Sequence, residues 1–260
     1  LKRQGIIKNT TLFKTYAVVL GRGHKLQAGV YELSPSMSTA YIIKKLFKGD
    51  VLREKITIIE GWAIKDIIQY LAEKNIYQKE SFLSASEKDW GKGFDFLAEK
   101  PKDFGLEGYI FPDTYFVSGD TAAEEFIKIT LSNFNKKLTS DLRQEIKKQN
   151  KSIFQIITMA SLLEKEVKSL QDKKIVSGIL WKRIKEGIPL QVDATVNYVT
   201  GKNDLKVSIK DTGIDSPYNT YKYYGLPLGP ISNPGMEAIL AAIYPEKTDY
   251  WYYLSADHNG

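Results

Sequence analysis

The stretch of this 260-residue chain that most constrains its fold runs from Ser152 to Val167. Its apolar residues recur at the i, i+3, i+4, i+7 spacing of one buried helix face, at Ile153, Ile156, Ile157, Ala160, Leu163 and Val167. Thr158, Ser161, Lys165 and Lys168 fall together on the opposite face, which we expect to meet solvent. The spacing therefore predicts a helix that begins near Ser152 and buries one face.

Two glutamates flank this apolar stripe, with Glu164 on one edge and Glu166 on the other. A carboxyl group beside apolar surface loses solvation when it ionises, so we expect its pKa to be raised. A general acid needs such a pKa because it must hold a proton near neutral pH. The alternative is that both glutamates are boundary residues paired with lysines such as Lys165 and Lys168. Periodicity alone does not decide between these interpretations.

The residue inventory excludes several kinds of chemistry. The chain has no cysteine, so it can form neither disulfides nor thiolate metal sites. Its two histidines, His24 and His258, are far apart in sequence and lack ligand spacing, which disfavours a histidine metal site or a Ser-His-Asp triad without excluding either. The net charge of +6 is not concentrated in a basic stripe, so we expect no nucleic-acid partner.

The rest of the chain mixes strand-like and helix-like segments without a regular βαβ repeat, which favours an α+β fold. Near the N-terminus a predicted strand precedes a predicted helix twice, at 29–33 with 39–47 and at 55–59 with 63–74. Glycines and prolines in residues 84–105 predict a linker, with a domain boundary near residue 95.

The C-terminal part carries further helix and strand signals. The pattern predicts a helix or helix pair at 121–149 and a helix at 172–186. Another helix is predicted to begin at Asn233 as N-cap with Pro234 in its first position. The aromatic run at 250–254 is typical of a buried strand.

Four further motifs accompany the predicted helix: LEGYIFPDTY at 106–115, LQVDATVNY at 190–198, SPYNTY at 216–221 and GLPLGPISNPG at 225–235. With the Ala-Ser-x-x-Glu-Lys-Glu sequence that ends at Glu166, this order of motifs resembles the endolytic murein transglycosylase (YceG-like) family. Two positions depart from the family pattern. Val167 stands where Thr is frequent, and Leu228 stands where a second Pro is common.

This resemblance implies a lytic transglycosylase that cleaves the β-1,4 bond between MurNAc and GlcNAc inside peptidoglycan glycan strands, leaving 1,6-anhydroMurNAc ends. It also implies that Glu164, the first Glu of Glu-Lys-Glu, is the catalytic residue, acting as acid and then as base. No metal or organic cofactor is then required. One alternative is a hydrolase with Asp193 or Glu107 as second carboxylate. Another is a non-catalytic peptidoglycan-binding scaffold protein of the wall-synthesis machinery.

The motifs also supply candidate substrate contacts, since polar and aromatic side chains suit sugar hydroxyls, acetamido groups and pyranose faces. The predicted set is Glu107, Tyr109, Gln191, Asp193, Thr195, Tyr218, Asn219 and Thr220. Gln191, Asp193 and Thr195 alternate, so a strand or extended loop would turn all three to one side. The alternative for each of the eight is a turn or a buried polar network.

The resemblance further implies a LysM-like region in residues 1–95, incomplete at its N-terminus, before a catalytic domain in 96–260. Glycan binding and simple packing are the two alternative roles for residues 1–95. No apolar run approaches the roughly 20 residues that span a bilayer, and the chain begins at Leu1 instead of Met. We therefore expect a fragment, and the resemblance implies that the intact protein is a single-pass protein of the cytoplasmic membrane, anchored by a segment absent from this chain. Its extracytoplasmic part would work beside peptidoglycan synthases.

Overall fold

The computed structural model describes residues 1–23, 25–102, 104–202 and 207–254, so His24 and His258 lie outside the described residues. The chain divides into two compact units. The first comprises Leu1–Ile56 and Thr114–Ala122, and the second comprises Thr57–Asp113 and Ala123–Gly260. This division differs from the predicted boundary near residue 95, because the chain leaves the first unit after Ile56 and returns to it at Thr114.

The first unit combines two helices with a small sheet. Its elements are α1 (Thr10–Val19), α2 (Thr39–Lys48) and the paired strands β1 (Arg53–Thr57) and β2 (Thr114–Ser118). The predicted start and end of α2 are confirmed, since the Ser38 side chain accepts the Tyr41 N–H and Gly49 ends the helix. The apolar faces of both helices bury Phe13, Ala17, Ile42, Ile43 and Leu46 in one core.

The strand predicted at 29–33 is wrong. This segment is an extended loop held by single hydrogen bonds, from Leu52 N–H to the Val30 carbonyl at 2.7 Å and from the Tyr31 hydroxyl to Gln27 at 2.8 Å. Its alternating apolar residues instead bring Tyr31 and Leu33 against the core of the first unit. The predicted repeat of two strand–helix pairs therefore keeps only its second strand.

The second unit is helical. In the described ranges it contains nine α-helices, with one short 3₁₀ turn at Asp95–Leu97. They are α3 (Ile64–Glu73), α4 (Lys79–Ser86), α5 (Ala123–Lys137), α6 (Ser140–Lys148), α7 (Ile153–Glu166), α8 (Leu170–Lys185), α9 (Asp193–Thr200), α10 (Ile209–Thr212) and α11 (Met236–Ile243). The helix pair at 121–149 and the helix after residue 170 are confirmed. Helices with one small sheet also agree with the predicted α+β class.

Helix α7 forms the centre of the second unit. Its predicted start is confirmed by a capping box, in which Ser152 Oγ accepts the Gln155 N–H at 3.0 Å and Gln155 Oε1 accepts the Ser152 N–H at 2.9 Å. Helices α6, α8, α9 and α11 all contact α7. Every residue from Ile156 to Leu163 is consequently buried.

The predicted wet face of α7 is wrong at two of its positions. Thr158 and Ser161 are buried, although Lys165 is exposed. Their hydroxyls donate to helix carbonyls, Thr158 to Phe154 at 2.8 Å and Ser161 to Thr158 at 2.7 Å. These bonds satisfy the donors without water, so neighbouring elements can cover the polar side of the helix as well.

The aromatic run at 250–254 is neither a strand nor buried. Tyr250 and Tyr252 are 68% and 75% exposed, and the segment is irregular. Two rings lie on cations of α8, with Lys182 Nζ 3.9 Å from the Trp251 ring centre and Arg183 Cζ 5.2 Å from that of Tyr252. No helix within the described ranges is both long and apolar enough to cross a bilayer.

Candidate active site

Glu164 lies in the last turn of α7, and both of its carboxylate oxygens have partners. Lys173 of α8 places Nζ 2.8 Å from Oε1, and the backbone N–H of Gly235 donates to Oε2 at 2.8 Å. The side chains of Glu164 and Lys173 are only 7% and 3% exposed. This is a buried ion pair, and removing one partner of such a pair typically costs about 3–5 kcal/mol. The apolar surroundings predicted from periodicity are therefore only part of the environment of Glu164.

A second carboxylate, that of Glu60, lies beside this pair. Glu60 is exposed and precedes Gly61, whose φ of 79° allows the turn that brings the chain to α7. A Cβ built on Gly61 would lie 3.6 Å from Glu164 Cγ, and one built on Gly235 would lie 1.8 Å from Glu60 Oε1. Desolvation and the charge of Glu164 both raise the pKa of Glu60.

Asn233 fixes the turn that carries Glu60. Its backbone carbonyl accepts the Gly61 N–H at 2.9 Å, and its backbone N–H donates to the Trp62 carbonyl at 2.8 Å. The side-chain amide also donates to Trp62, and its oxygen accepts the Ile110 N–H at 2.8 Å. The predicted N-cap role of Asn233 is wrong, because α11 begins at Met236 and the Asn233 side chain is used in these tertiary bonds.

Glu107 also stabilises the Glu60 turn through hydrogen bonds. Its carboxylate accepts the Ile64 N–H at 3.1 Å, the Asn233 amide at 3.2 Å and the Tyr198 hydroxyl at 3.3 Å. Burial raises the pKa of Glu107 to about 7, although these hydrogen bonds act in the opposite direction. The structure therefore joins Glu107 to the Glu60 turn through Asn233.

Tyr109 is enclosed in an aromatic cluster. The residue is completely buried, with its ring centre 6.0 Å from that of Phe96 and 5.5 Å from that of Phe134. Its hydroxyl has no hydrogen-bond partner among the described residues. This position favours the buried alternative for Tyr109 over direct contact with a ligand.

The alternation predicted that Gln191, Asp193 and Thr195 share one side of an extended segment. In the structure they do not. Gln191 has a φ of 55°, and Asp193 already begins α9, so the three side chains diverge. Gln191 accepts a hydrogen bond from Arg183 at 2.7 Å, whereas Asp193 accepts one from Tyr221. A left-handed residue followed by a helix start removes the period of two on which the prediction depended.

Thr195 and Thr220 form a buried polar pair. Their hydroxyl oxygens lie 3.0 Å apart, and Thr220 Oγ1 also accepts the Val192 N–H at 3.0 Å. Asn219, likewise buried, donates from its amide to the carbonyls of Thr212 and Ile214 at 2.9 and 2.8 Å. The threonine pair joins the 212–221 loop to α9, and Asn219 fixes the conformation of the loop itself.

Tyr218 connects this loop to Glu107. Its ring centre lies 5.1 Å from that of Tyr198, whose hydroxyl donates to Glu107. Burial raises the pKa of Tyr218 to about 12, so its hydroxyl stays protonated at neutral pH. Of the predicted site residues, Glu107 and Tyr218 are thus linked to the Glu60 turn, whereas Gln191, Asp193, Thr195, Asn219 and Thr220 gather around α9.

Glu166 has surroundings of its own. It accepts the Tyr253 hydroxyl at 2.9 Å and the Ala194 N–H, and burial raises its pKa, with Asp193 acting in the same direction. Its hydrogen-bond partners differ from those of Glu164, as the placement of the two glutamates on opposite edges of the stripe predicts.

Sequence reasoning missed three groups of this site: Glu60, Lys173 and the backbone of Gly235. Lys173 gave a signal, because it precedes Val176 and Leu180 by three and seven residues and so lies on the apolar face of α8. Glu60 gave none, since nothing local distinguishes it from other turn carboxylates. Within the described residues no group of three or more His, Asp or Glu side chains is arranged to hold a metal ion.

Fold and site define an α+β protein with an ion-paired glutamate at the end of its central helix. The sequence profile of the YceG-like family matches residues 1–260. An endolytic murein transglycosylase of Bacillus subtilis is 36% identical over 277 aligned residues, which cover 100% of this chain and 75% of that protein. The chain belongs to the YceG-like family.

Two further proteins extend the comparison. An endolytic murein transglycosylase of Streptococcus pneumoniae serotype 2 is 33% identical over 98% of this chain and 51% of its own length, so the chain spans about half of that relative. The crystal structure of a yceG-like protein from Listeria monocytogenes superposes with a TM-score of 0.71 at 35% identity, covering 98% of this chain and 88% of that one.

Proposed function

We propose that this chain is an endolytic lytic transglycosylase, which cleaves the β-1,4 bond between MurNAc and GlcNAc inside peptidoglycan strands and leaves 1,6-anhydroMurNAc ends. The observation that carries the proposal is Glu164, held by Lys173 and Gly235 at the end of α7. Membership of a family whose relatives are named endolytic murein transglycosylases supports it. The resemblance of the Glu-Lys-Glu motif assigns the catalytic role to Glu164 and not to Glu166.

Glu164 acts as the general acid in this proposal. It donates a proton to the glycosidic oxygen while the bond from C1 to that oxygen breaks. The carboxylate that remains is stabilised by the Lys173 ammonium and by the Gly235 N–H.

The sugar itself supplies the nucleophile. Bond breaking leaves an oxocarbenium-like centre at C1 of MurNAc, and the 6-hydroxyl of the same residue closes onto it. The hydroxyl proton must pass to a carboxylate of the site, and no water is consumed. A hydrolase would instead place the oxygen of water on C1.

The predicted substrate contacts divide by exposure. Gln191 is exposed and Asp193 and Tyr218 are half-buried, so these three would touch sugar directly. Tyr109, Thr195, Asn219 and Thr220 are at most 1% exposed and would act by bracing the surrounding loops. Glu107 would act through Asn233 and the Glu60 turn.

The proposal extends to the whole protein. Residues 1–95 would contain a LysM-like glycan-positioning region, an idea supported by the separate core of the first unit. The catalytic part, 96–260 together with the Glu60 turn that lies against it, would be on the extracytoplasmic side of the cytoplasmic membrane, since its polymer substrate is there. A membrane segment outside this chain would anchor it near peptidoglycan synthases, where it would terminate nascent strands.

The test is digestion of purified, uncrosslinked glycan strands followed by mass spectrometry of the new ends. A lytic transglycosylase gives ends that are lighter by one water than the reducing ends a hydrolase produces. A non-catalytic scaffold would bind strands and leave their length distribution unchanged. Either of the last two outcomes would contradict the proposal.

A further inference from the structure

Glu60 occupies a position beside Glu164 that packing does not explain. Its carboxylate makes no hydrogen bond to any described residue, and the side chain is exposed while that of Glu164 is enclosed. It nevertheless lies where a Cβ on Gly235 would overlap it, and the Gly235 N–H is bound to Glu164. Both carboxylates therefore lie next to one residue, Gly235.

The charges around Glu60 come from three helices. Glu164 and Lys165 of α7 lie against its turn, Lys173 of α8 attracts it, and Glu237 of α11 repels it. Among the described residues, Lys173 forms an ion pair only with Glu164.

We propose that Glu60 is a second catalytic carboxylate, the base that takes the proton from the 6-hydroxyl of MurNAc. This inference rests on the proposed function and assigns to Glu60 the basic half of the cycle that the family resemblance assigns to Glu164 alone. Exposure suits the role, because the 6-hydroxyl arrives with the substrate, whereas the oxygens of Glu164 are occupied by Lys173 and Gly235.

Glu164 gives its proton to O4 of the departing GlcNAc as the C1–O4 bond breaks. The 6-oxygen forms its bond to C1 and releases its proton to the Glu60 carboxylate. Transfer of that proton from Glu60 to Glu164 restores both groups, so each turnover consumes no water and no other reactant.

Three variants of the full chain test the role of Glu60, with kcat and KM for release of anhydro ends as readouts. In Glu60→Gln the base is lost while the size of the side chain is kept, and we expect kcat to fall about 10²–10³-fold with little change in KM. In Gly235→Ala the new methyl group displaces the Glu60 carboxylate and retains the N–H bound to Glu164, so kcat should also fall. The matched control is Glu237→Gln, which removes an exposed charge of the same neighbourhood and should stay within about threefold of wild type.

The pH profile separates a base from a merely structural residue. Wild-type kcat should fall on the acid side as Glu60 takes up a proton, and that fall should be absent from the residual rate of Glu60→Gln. A melting temperature close to that of wild type would confirm that the variant is folded.

Two kinds of failure are distinguishable. If wild type releases anhydro ends while Glu60→Gln keeps a near-wild-type kcat and an unchanged acid limb, the role of Glu60 is refuted and the proposed function stands. If Gly235→Ala and Glu60→Gln both fold and both retain activity, the same conclusion follows. If wild type releases no anhydro ends, the proposed function fails and the inference fails with it.

Discussion

Glu164 and Glu166 lie two residues apart on one helix, yet the structure gives them opposite surroundings. Glu164 faces an ammonium group and a backbone N–H, next to the exposed carboxylate of Glu60. Glu166 faces the phenol of Tyr253, with Asp193 as a further negative charge nearby. The first environment offers two hydrogen-bond donors to the carboxylate, one of them charged, whereas in the second burial raises the pKa of Glu166.

Whether a carboxyl group can act as an acid therefore depends on the groups that surround it in space. Both glutamates flank the same apolar stripe, so the sequence pattern alone predicts the same loss of solvation for both carboxyl groups. Glu164 is paired directly with a cation and lies beside a second carboxylate that is exposed to solvent.

Glu164→Gln should reduce release of anhydro ends at least about 10³-fold, because an amide cannot donate the proton. It should also lower stability by about 3 kcal/mol, since Lys173 would remain charged in a buried site without a counter-charge. Strand digestion and urea unfolding measure the two effects. Activity near that of wild type would remove Glu164 from the mechanism.

Lys173→Met should destabilise the protein by about 3–5 kcal/mol and lower kcat about 10–100-fold, because the Glu164 carboxylate loses its buried partner. Urea unfolding and steady-state kinetics provide the measurements. Lys168→Met is the control, since Lys168 is exposed and its loss removes the same charge. Equal effects of the two substitutions would show that net charge matters and the pair does not.

Glu107→Gln should alter the pH dependence of stability. The folded pKa of about 7 exceeds the ordinary 4.5, so between these values the folded protein holds a proton that the unfolded chain has released. Stability should therefore fall as pH rises through this window, by about 3 kcal/mol in total, and the variant should lack that part of the fall. Urea unfolding at about pH 5 and about pH 8 tests this, and identical pH dependence in both proteins would contradict it.

Local signals explain which parts of the fold were predictable. The start of α7 at Ser152 and the ends of α2 at Ser38 and Gly49 follow from capping groups within a few residues. The burial of Thr158 and Ser161 could not be read from the same pattern. Periodicity records the type of side chain, whereas the packing of α6, α8, α9 and α11 decides whether a polar face meets water.

The candidate site divides in the same way. Glu164 was found through its motif, but the approach of Glu60 depends on a turn bound to Asn233, a contact between segments far apart in the chain. The predicted geometry of Gln191, Asp193 and Thr195 was wrong because Gln191 adopts a left-handed backbone conformation, which its residue type does not indicate. Alternation predicts a shared face only while the backbone remains extended.

The smallest effect on catalysis is expected from Glu166→Gln. The amide oxygen can still accept the Tyr253 hydroxyl and the Ala194 N–H, so the fold should persist and kcat should stay within about threefold of wild type. Burial raises the folded pKa of Glu166 above its unfolded value, so wild type loses stability as pH rises from the unfolded pKa through the folded one. The variant should lack this loss and be slightly more stable than wild type at neutral pH. Melting temperatures across that pH range and the kcat for anhydro release measure both effects. A kcat loss as large as that of Glu164→Gln would mean that Glu166 acts in catalysis or orients Glu164, and the contrast between the two glutamates would then be wrong.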